Sequence, residues 1–281
     1  MTADRAPTAS GSDFVQSLAR GLAVIRAFDE THPERTLSEV ARATGLTRAA
    51  ARRFLHTLVA LGYVRTDGRL FALRPRVLEL GYAYLSSAGL PEIAQPHMET
   101  ASAELHESCS MSLLDGHDVV YVARVPTHRI MTVAINVGTR FPAYATSMGR
   151  VLLAAQPAEW LERYLGEVEL VALTPKTVTD PAALAKVLAR VRSAGYCMVD
   201  QELEVGLRSL AVPIHGPGGE VVAALNTSAH VSRGSAEAAR RELLPGLREC
   251  AAAIAADLAA GAGVRTDRRG VPRAGSATGS R

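Results

Sequence analysis

The chain has 281 residues, 48% of them hydrophobic, so it is long enough to form two domains with separate cores. Its net charge of +3 is unevenly distributed. Residues 17–74 carry ten Lys or Arg against five Asp or Glu, whereas residues 91–260 carry fourteen against nineteen. A basic head on an acidic body favours a protein whose head alone contacts nucleic-acid phosphates.

Three widely spaced cysteines form no C-x-x-C pair, which argues against a disulfide framework and against a zinc site. The sequence shows no apolar signal core and no apolar stretch of membrane-spanning length. We therefore expect a cytoplasmic protein that has no membrane partner and needs neither a metal ion nor a cofactor.

The first predicted element is a single helix behind a flexible lead. Residues 1–16 are rich in small and polar residues and are expected to be flexible. Ser17 is predicted to cap the helix that follows. Its apolar residues recur at helical spacing: Leu18, Leu22, Ile25 and Phe28.

A helix-turn-helix pattern comes next. Thr36 and Glu39 have the spacing of a capping box, and Gly45 ends the helix that they begin. Thr47 is predicted to cap the second helix, whose inner face would consist of Ala50, Phe54, Leu55 and Leu58. Its outer side carries Arg48, Arg52, Arg53 and His56. Two short helices joined by a Gly-containing turn, the second with basic residues at its start, are typical of a DNA-binding head.

Alternating residues around Asp67 and Gly68 predict a hairpin, which would be the wing of a winged helix-turn-helix. We expect Arg48 and Arg52 to reach base edges, because Arg can bond bidentately to guanine. Contacts to phosphates are expected from Thr47, Arg53 and the wing residue Arg69. The alternative is an ordinary helical pair with solvated arginines. The wing, the basic charge and the two caps together favour DNA binding.

The rest of the chain predicts a second, α+β domain. Residues 17–76 would form the head and residues 77–90 a helical linker, which Gly89, Leu90 and Pro91 interrupt. In the body, residues 91–260, we predict helices over 92–108, 147–155, 157–165, 181–193 and 235–260. Strands are predicted over 109–115, 119–125, 130–137, 196–199, 208–214 and 221–228. An antiparallel sheet flanked by helices fits this order, and residues 261–281 would be a disordered basic tail.

Ser147 is the one candidate for enzyme chemistry. Residues 145–149 approach the G-x-S-x-G pattern of a serine esterase, but Ala145 replaces the first glycine and no H-G-G-G element is present. No acid can be assigned convincingly between His215 and His230 to complete a triad. We therefore favour Ser147 as the cap of a helix that starts at Met148, and expect no catalytic residue.

Other polar clusters have simpler explanations than catalysis or metal binding. Asp200, Glu202 and Glu204 lack a nearby His, so a solvated or ligand-facing acidic loop is preferred to a metal site. The glycines at 216–219 precede a strand and no P-loop Lys follows, which indicates a turn. His128, Arg129 and Arg140 surround the strand predicted over 130–137, and an Arg there would either receive a ligand carboxylate or lie at the surface.

The head, from residues 17–22 through the wing, resembles the IclR family of bacterial transcription regulators. So do the body motifs A-T-S-M-G-R-V-L-L-A at 145–154, G-Y at 195–196, Asp200, Glu202, G-L-R-S-L-A at 206–211 and A-A-L-N-T-S at 223–228. The resemblance covers about residues 14–260. Residues 14–18, 131–133 and 139–142 are further similar to the branch that controls protocatechuate and β-ketoadipate catabolism.

This resemblance implies a winged helix-turn-helix, a linker helix and a GAF-like effector-binding domain, assembled as a homodimer or a dimer of dimers on operator DNA. The effector, protocatechuate or β-ketoadipate, would bind a pocket lined by Ser147, Met148, Asp200, Ser209, Asn226 and Ser228. Family members often have Cys in place of Ser209 and a small residue in place of Asn226, so a regulator of another carbon-source pathway is the alternative. Beside a carboxylate ligand, Asp200 would have to be protonated or to bond a ligand hydroxyl.

Overall fold

A computed structural model describes residues 14–29, 31–81, 89–127 and 135–267, with side chains described as far as residue 260. The chain forms two compact units, Met1–Ser87 and Ala88–Arg281. The predictions for residues 1–13, for the linker at 82–88, for the strand at 130–134 and for the tail at 268–281 lie outside the described residues, as do His128 and Arg129.

The first unit is a three-helix head with a small antiparallel sheet. Its helices are α1 (Gln16–Arg26), α2 (Leu37–Thr44) and α3 (Arg48–Ala60), and its strands are β1 (Glu34–Thr36), β2 (Val64–Thr66) and β3 (Leu70–Leu73), in the order β1-β3-β2. Val24, Val40, Leu55 and Phe71 lie in the core that joins them. The predicted hairpin is present. It also pairs with β1, which was not predicted, so the wing is a three-stranded sheet.

The caps predicted for the helix-turn-helix are present. The Thr36 hydroxyl accepts the Glu39 amide at 3.3 Å, and the Glu39 carboxylate accepts the Thr36 amide at 2.7 Å. Gly45 ends α2 with φ +65°, and the Thr47 hydroxyl accepts the Ala50 amide at 3.2 Å. These bonds fix the turn between the helices and the start of α3.

Two details of the head differ from the prediction. Helix α1 begins at Gln16 after Val15, and no side chain caps it, so the predicted cap at Ser17 is wrong. On the inner face of α3 the buried residues are Ala51, Leu55 and Leu58, whereas Ala50 is only partly buried. The wing tip is held by Asp67, whose carboxylate accepts the amides of Arg69 and Leu70.

The boundary between the units begins as a short helical segment. A 3-10 turn, Pro75–Val77, leads into helical residues 78–81. After the residues outside the description, Gly89 (φ +61°) precedes α4 (Leu90–Leu105), which ends at His106. The predicted helix over 92–108 therefore ends three residues later than the observed helix. His106 adopts a left-handed conformation, and residue 108 already belongs to a strand.

The second unit is built on a six-stranded antiparallel sheet. Its strands are β4 (Ser108–Asp115), β5 (Asp118–Val125), β6 (Arg140–Pro142), β7 (Cys197–Asp200), β8 (Leu207–His215) and β9 (Val221–His230), in the order β6-β5-β4-β9-β8-β7. The predicted α+β class is confirmed. Residues 135–137 are not a strand as predicted, because they lead into a turn at Gly138 (φ +90°) whose amide donates to Tyr121 O at 2.7 Å.

Helices cover both faces of this sheet. Helix α5 (Ser147–Ala154) packs on β4, β8 and β9, whereas α4 and α8 (Ala236–Asp267) pack on the other face. Two further helices, α6 (Ala158–Glu167) and α7 (Pro181–Ala194), complete the α5 side. This arrangement buries every residue of α5.

The start of α5 differs from the prediction at its cap. The Thr146 hydroxyl accepts the Gly149 amide at 3.0 Å, so Thr146 is the cap and Ser147 is the first helical residue. A Cβ atom at position 149 would lie 2.1 Å from Ala143 O, so only glycine permits this close approach. The Ser147 side chain is thereby released from capping and turns toward the sheet, where it bonds Ser209.

Candidate functional site

A concave surface of the head lies between α3 and the wing. It is a groove of about 970 Å³, lined by Thr36, Leu37, Ser38, Arg48, Ala49, Arg52, Arg53, His56, Thr66, Gly68, Arg69 and Phe71. Four of the five residues predicted to contact DNA line it, Arg48, Arg52, Arg53 and Arg69, and the fifth, Thr47, caps the helix that carries three of them.

The four arginines of this groove are exposed. None of the four forms an ion pair with a described residue, and no Asp or Glu belongs to the lining. The N-terminus of α3, where Arg48 stands, adds the positive end of a helix dipole. A concave, purely cationic surface is suited to the phosphates and guanine edges of duplex DNA.

Besides the cap residue Thr36, three polar lining residues were absent from the predicted contact set. Ser38 and Thr66 bring hydroxyls from α2 and from the wing, and His56 packs edge-to-face on Phe71 with ring centroids 6.4 Å apart. The helical spacing that placed Arg52 and His56 on one side of α3 gave a signal for His56. Ser38 and Thr66 could be found only from the way in which the wing folds against α2 and α3.

In the second unit, polar side chains meet where the start of α5 faces the sheet. Ser147 Oγ lies 2.6 Å from Ser209 Oγ on β8. Ser209 Oγ also accepts Asn226 Nδ2 at 2.9 Å and Ser228 Oγ at 3.3 Å, both from β9. Four of the six residues predicted to bind an effector are thus brought together around one hydroxyl. We call these four residues the serine–asparagine cluster.

Apolar side chains enclose the serine–asparagine cluster. The cavity lined by the four polar residues also has Tyr121, Ile135, Ala145, Thr146, Val199, Leu203 and Leu207 in its walls. Its volume is about 20 Å³, enough for roughly one water molecule. An apolar cavity with a few converging donors and acceptors is typical of a small-molecule site. An aromatic ligand would need wall side chains to move.

Met148 and Asp200 do not line this cavity. The Met148 sulfur lies beneath α5, where it accepts the Ser112 hydroxyl at 3.2 Å. Asp200 pairs with Arg208 at 3.0 Å and with Lys176 at 3.5 Å. Burial raises the pKa of Asp200, but the hydrogen bond and charge of Arg208, together with Lys176, hold that pKa below its ordinary value. Asp200 is therefore ionised and paired, not protonated to receive an acid.

The acidic loop was predicted to be solvated or to face a ligand, but one of its three carboxylates is buried in an ion pair. Glu202 is buried and accepts both terminal nitrogens of Arg150 at 2.6 Å, and it also accepts the Val178 amide at 3.0 Å. Arg150 Nε donates to Tyr144 O at 2.7 Å. This buried pair connects α5 to two loops of the unit and so fixes the helix that presents Ser147.

The remaining polar groups give no support to enzyme chemistry at Ser147. Its hydroxyl bonds Ser209, and His230 Nδ1 lies 2.8 Å from Ser232 Oγ. Arg140 pairs with Asp115 at 2.6 Å and Asp118 at 3.3 Å at the surface. No cluster of three potential metal ligands occurs among the described residues. In the described part of the chain, no helix is long and apolar enough to cross a membrane.

Two family models cover most of the chain. The IclR helix-turn-helix domain matches residues 17–68, and the C-terminal domain of bacterial IclR transcriptional regulators matches residues 82–256. The groove lies in the first match and the serine–asparagine cluster in the second.

Individual relatives agree with these matches. The Pca regulon regulatory protein of Pseudomonas putida is 50% identical over 234 residues, 83% of this chain and 80% of the relative. The p-hydroxybenzoate hydroxylase transcriptional activator of Acinetobacter baylyi is 39% identical, over 85% of this chain and 90% of the activator. A crystal structure of an IclR homolog from Microbacterium hydrocarbonoxydans, complexed with 4-hydroxybenzoate, is 30% identical with TM-score 0.77 and covers 87% of this chain and 99% of the homolog. These relatives are regulators, not enzymes, and the chain belongs to the IclR family of bacterial transcription regulators.

Proposed function

We propose that this regulator controls genes for the catabolism of aromatic acids, on the protocatechuate and β-ketoadipate route, and that a small organic acid alters its binding to operator DNA. The observation that carries the proposal is its 50% identity to a Pca regulon regulatory protein. Support for an aromatic effector comes from the 4-hydroxybenzoate held by a homolog of the same fold. Such a regulator would act in the cytoplasm, where the operator lies.

The head, residues 17–76, would supply operator binding. Arg48 and Arg52 stand four residues apart at the start of α3, so they project from the same side of the helix. We assign them to base edges in the major groove. Thr47, Arg53 and Arg69 are assigned to phosphates on either side, and the absence of any acid from the groove lining supports all five assignments.

A second copy of the chain would complete the operator complex. Apolar side chains of the head remain exposed on α1 and just before it: Phe14, Val15, Leu18 and Leu22. Leu78 and Leu80 are also exposed, at the start of the proposed linker at 77–90. Neighbouring exposed apolar side chains of this kind are typical of association surfaces. They support a homodimer, or a dimer of dimers, on a pseudo-palindromic operator.

The effector-binding domain, residues 91–260, would control the spacing of the two heads. Of the six proposed effector residues, the four of the serine–asparagine cluster would contact the ligand directly. Met148 and Asp200 lie outside the cavity and would hold α5 and β8 in place. Because the cavity holds only about 20 Å³, the effector would favour a state in which its walls have moved. That difference in affinity is the coupling that a regulator needs.

A gel-shift titration with the operator upstream of the neighbouring catabolic genes tests the proposal. Protocatechuate or β-ketoadipate should change the affinity or the footprint of the full-length protein on that operator, whereas succinate should not. An unchanged footprint with both acids would contradict control by this route. It would leave regulation of another carbon-source pathway as the alternative, and a genome-wide footprint would identify that pathway.

A further inference from the structure

Arg124 stands on the sheet face that carries the serine–asparagine cluster. It pairs with Ser110 across β5 and β4, and Ser110 pairs with Asn226 across β4 and β9. Directly paired residues of antiparallel strands point to the same face of a sheet. Arg124, Ser110 and Asn226 therefore form one row across three strands.

Two hydrogen bonds identify this face as the one beneath α5. Arg124 Nη1 donates to Ser110 Oγ at 3.4 Å, and the buried Ser112, two residues along β4, donates to Met148 of α5. Since alternate residues of a strand share a face, Ser110 and Arg124 lie on the α5 side of the sheet.

Arg124 is partly buried and has no carboxylate within ion-pair distance among the described residues. Three other buried or partly buried arginines of this unit are paired: Arg150 with Glu202, Arg208 with Asp200 and Arg233 with Glu107. Burial lowers the pKa of the Arg124 guanidinium. A cation held away from water without a counter-ion becomes more stable when an anion arrives.

The separation between Arg124 and Asn226 suits a particular ligand shape. Two strand spacings place the backbones of Arg124 and Asn226 about 10 Å apart. The Arg124 guanidinium reaches Ser110 on the strand between them. Tyr121, a wall of the cavity, comes from the same strand as Arg124. Burial raises the pKa of Tyr121 to about 12, so its ring remains a neutral wall. A rigid aromatic ring, charged at one end and hydroxylated at the other, fits this arrangement.

We infer that Arg124 binds the carboxylate of the effector, and that the serine–asparagine cluster binds its ring hydroxyls. The effector class is accordingly a hydroxylated aromatic monocarboxylate. This inference rests on the proposed function and adds to it the residue that supplies the positive charge. The cavity does not yet extend to Arg124, so the wall formed by Tyr121 and Ile135 must move when the acid enters.

Isothermal titration of the full-length protein at pH 7.5 tests the inference with protocatechuate and its neutral carboxamide. Wild type should bind the acid at least tenfold more tightly than the amide, because only the acid forms a charge-assisted bond. Arg124→Gln should weaken binding of the acid by about 10- to 100-fold and leave amide binding within about twofold. Arg124→Lys, which keeps the charge but loses the planar donor fork, should fall between them.

Arg140→Gln is the matched control, since Arg140 lies on the neighbouring strand but already pairs with Asp115 and Asp118. It should bind protocatechuate like wild type. Operator affinity without ligand and the unfolding midpoint from Trp160 fluorescence establish that each variant is folded. Should Arg124→Gln misfold, Arg124→Lys, which keeps the partly buried charge, tests the same contact, and binding of the acid equal to that of wild type would remove the guanidinium from the site.

Three outcomes overturn the inference in different ways. Equal binding of protocatechuate by wild type and Arg124→Gln removes Arg124 from the site while the proposed function stands. Binding of β-ketoadipate in place of hydroxybenzoates overturns the effector class alone. If wild type binds none of these acids, the proposed function fails together with the inference.

Discussion

The two units treat positive charge in opposite ways. In the head, four arginines line an open groove without an acid among them. In the second unit, Arg150 and Arg208 are buried, and each is bonded to a carboxylate. An exposed cation is hydrated and costs the fold little, so it remains available for a polyanion. A buried cation that is compensated within the fold, as Arg150 and Arg208 are, has a structural role.

The largest effect that follows from this comparison is expected at Glu202. Glu202→Ala would leave the Arg150 guanidinium, only 2% exposed, without its counter-ion. Loss of one partner of a buried pair typically costs about 3–5 kcal/mol. The free energy of unfolding of the second unit should fall by this amount, measured by urea titration with fluorescence from Trp160, the single tryptophan of the chain.

Glu237→Ala is the matched control in the same unit. Glu237 pairs with Arg240 at 2.5 Å on the surface of α8. This distance is nearly that of the Arg150–Glu202 pair, so the two pairs differ mainly in burial. The midpoint of Glu237→Ala should remain that of wild type within error. Equal losses of unfolding free energy in the two variants would show that burial does not set the contribution of these ion pairs. The contrast drawn between exposed and buried arginines would then be wrong.

The next largest effect is expected on DNA affinity and not on stability. Arg52 is exposed and bonds no described acid, so Arg52→Ala should leave the unfolding free energy of the head unchanged. Operator affinity should fall by about 1–3 kcal/mol, with relaxed specificity at one base pair. Fluorescence anisotropy with operator variants mutated one position at a time measures both quantities.

Arg69→Ala serves as the comparison within the same groove. As a phosphate contact from the wing, it should weaken all sequences alike and reduce the salt dependence of binding by about one ion. If Arg52→Ala behaved in this uniform way as well, its assignment to a base edge would be wrong, although the groove would remain a DNA-binding surface.

The two sites also differ in how far the sequence predicts them. The groove is built from residues 36–71, and its helices carry local signals: a capping box, a left-handed glycine and arginines four residues apart. Such signals depend on neighbours within one or two turns. The missed strand β1 has only three residues, and its pairing with β3 is a tertiary contact that no local pattern encodes.

The effector side depends instead on strand register. Ser147, Ser209 and Asn226 come from three separate elements, and in the sequence only the resemblance to a known family groups them into one site. Arg124 was missed because its face follows from pairing with Ser110. The register shift between Met111 and Ser112 places an extra residue on β5, so alternation along β5 alone does not give the face of Arg124. From the sequence, Arg140 was an equal candidate for binding a ligand carboxylate. Only its ion pairs with Asp115 and Asp118 exclude it from that role.

The smallest effect is expected at the cap of α2. Thr36→Ala removes the hydroxyl that accepts the Glu39 amide, which should destabilise the start of the helix by about 1 kcal/mol. Hydrogen exchange of peptides from α2, measured without DNA by mass spectrometry, should be about fivefold faster. Thr36→Ser retains the hydroxyl and should exchange like wild type, while equal acceleration in both variants would rule out capping as the cause.

The contribution of this cap should also depend on pH. The hydrogen bonds from the Thr36 amide and hydroxyl hold the pKa of Glu39 below its ordinary value. Because the folded-state pKa is depressed, the stabilisation by the ionised carboxylate is present above the unfolded-state pKa and is lost as pH falls through the folded value. After correction for intrinsic exchange, the difference in exchange rate between wild type and Thr36→Ala should therefore shrink as the pH falls from neutral to below the pKa of a free glutamate. A difference that stayed constant would mean that the Thr36 hydroxyl acts without the reciprocal bond from Glu39.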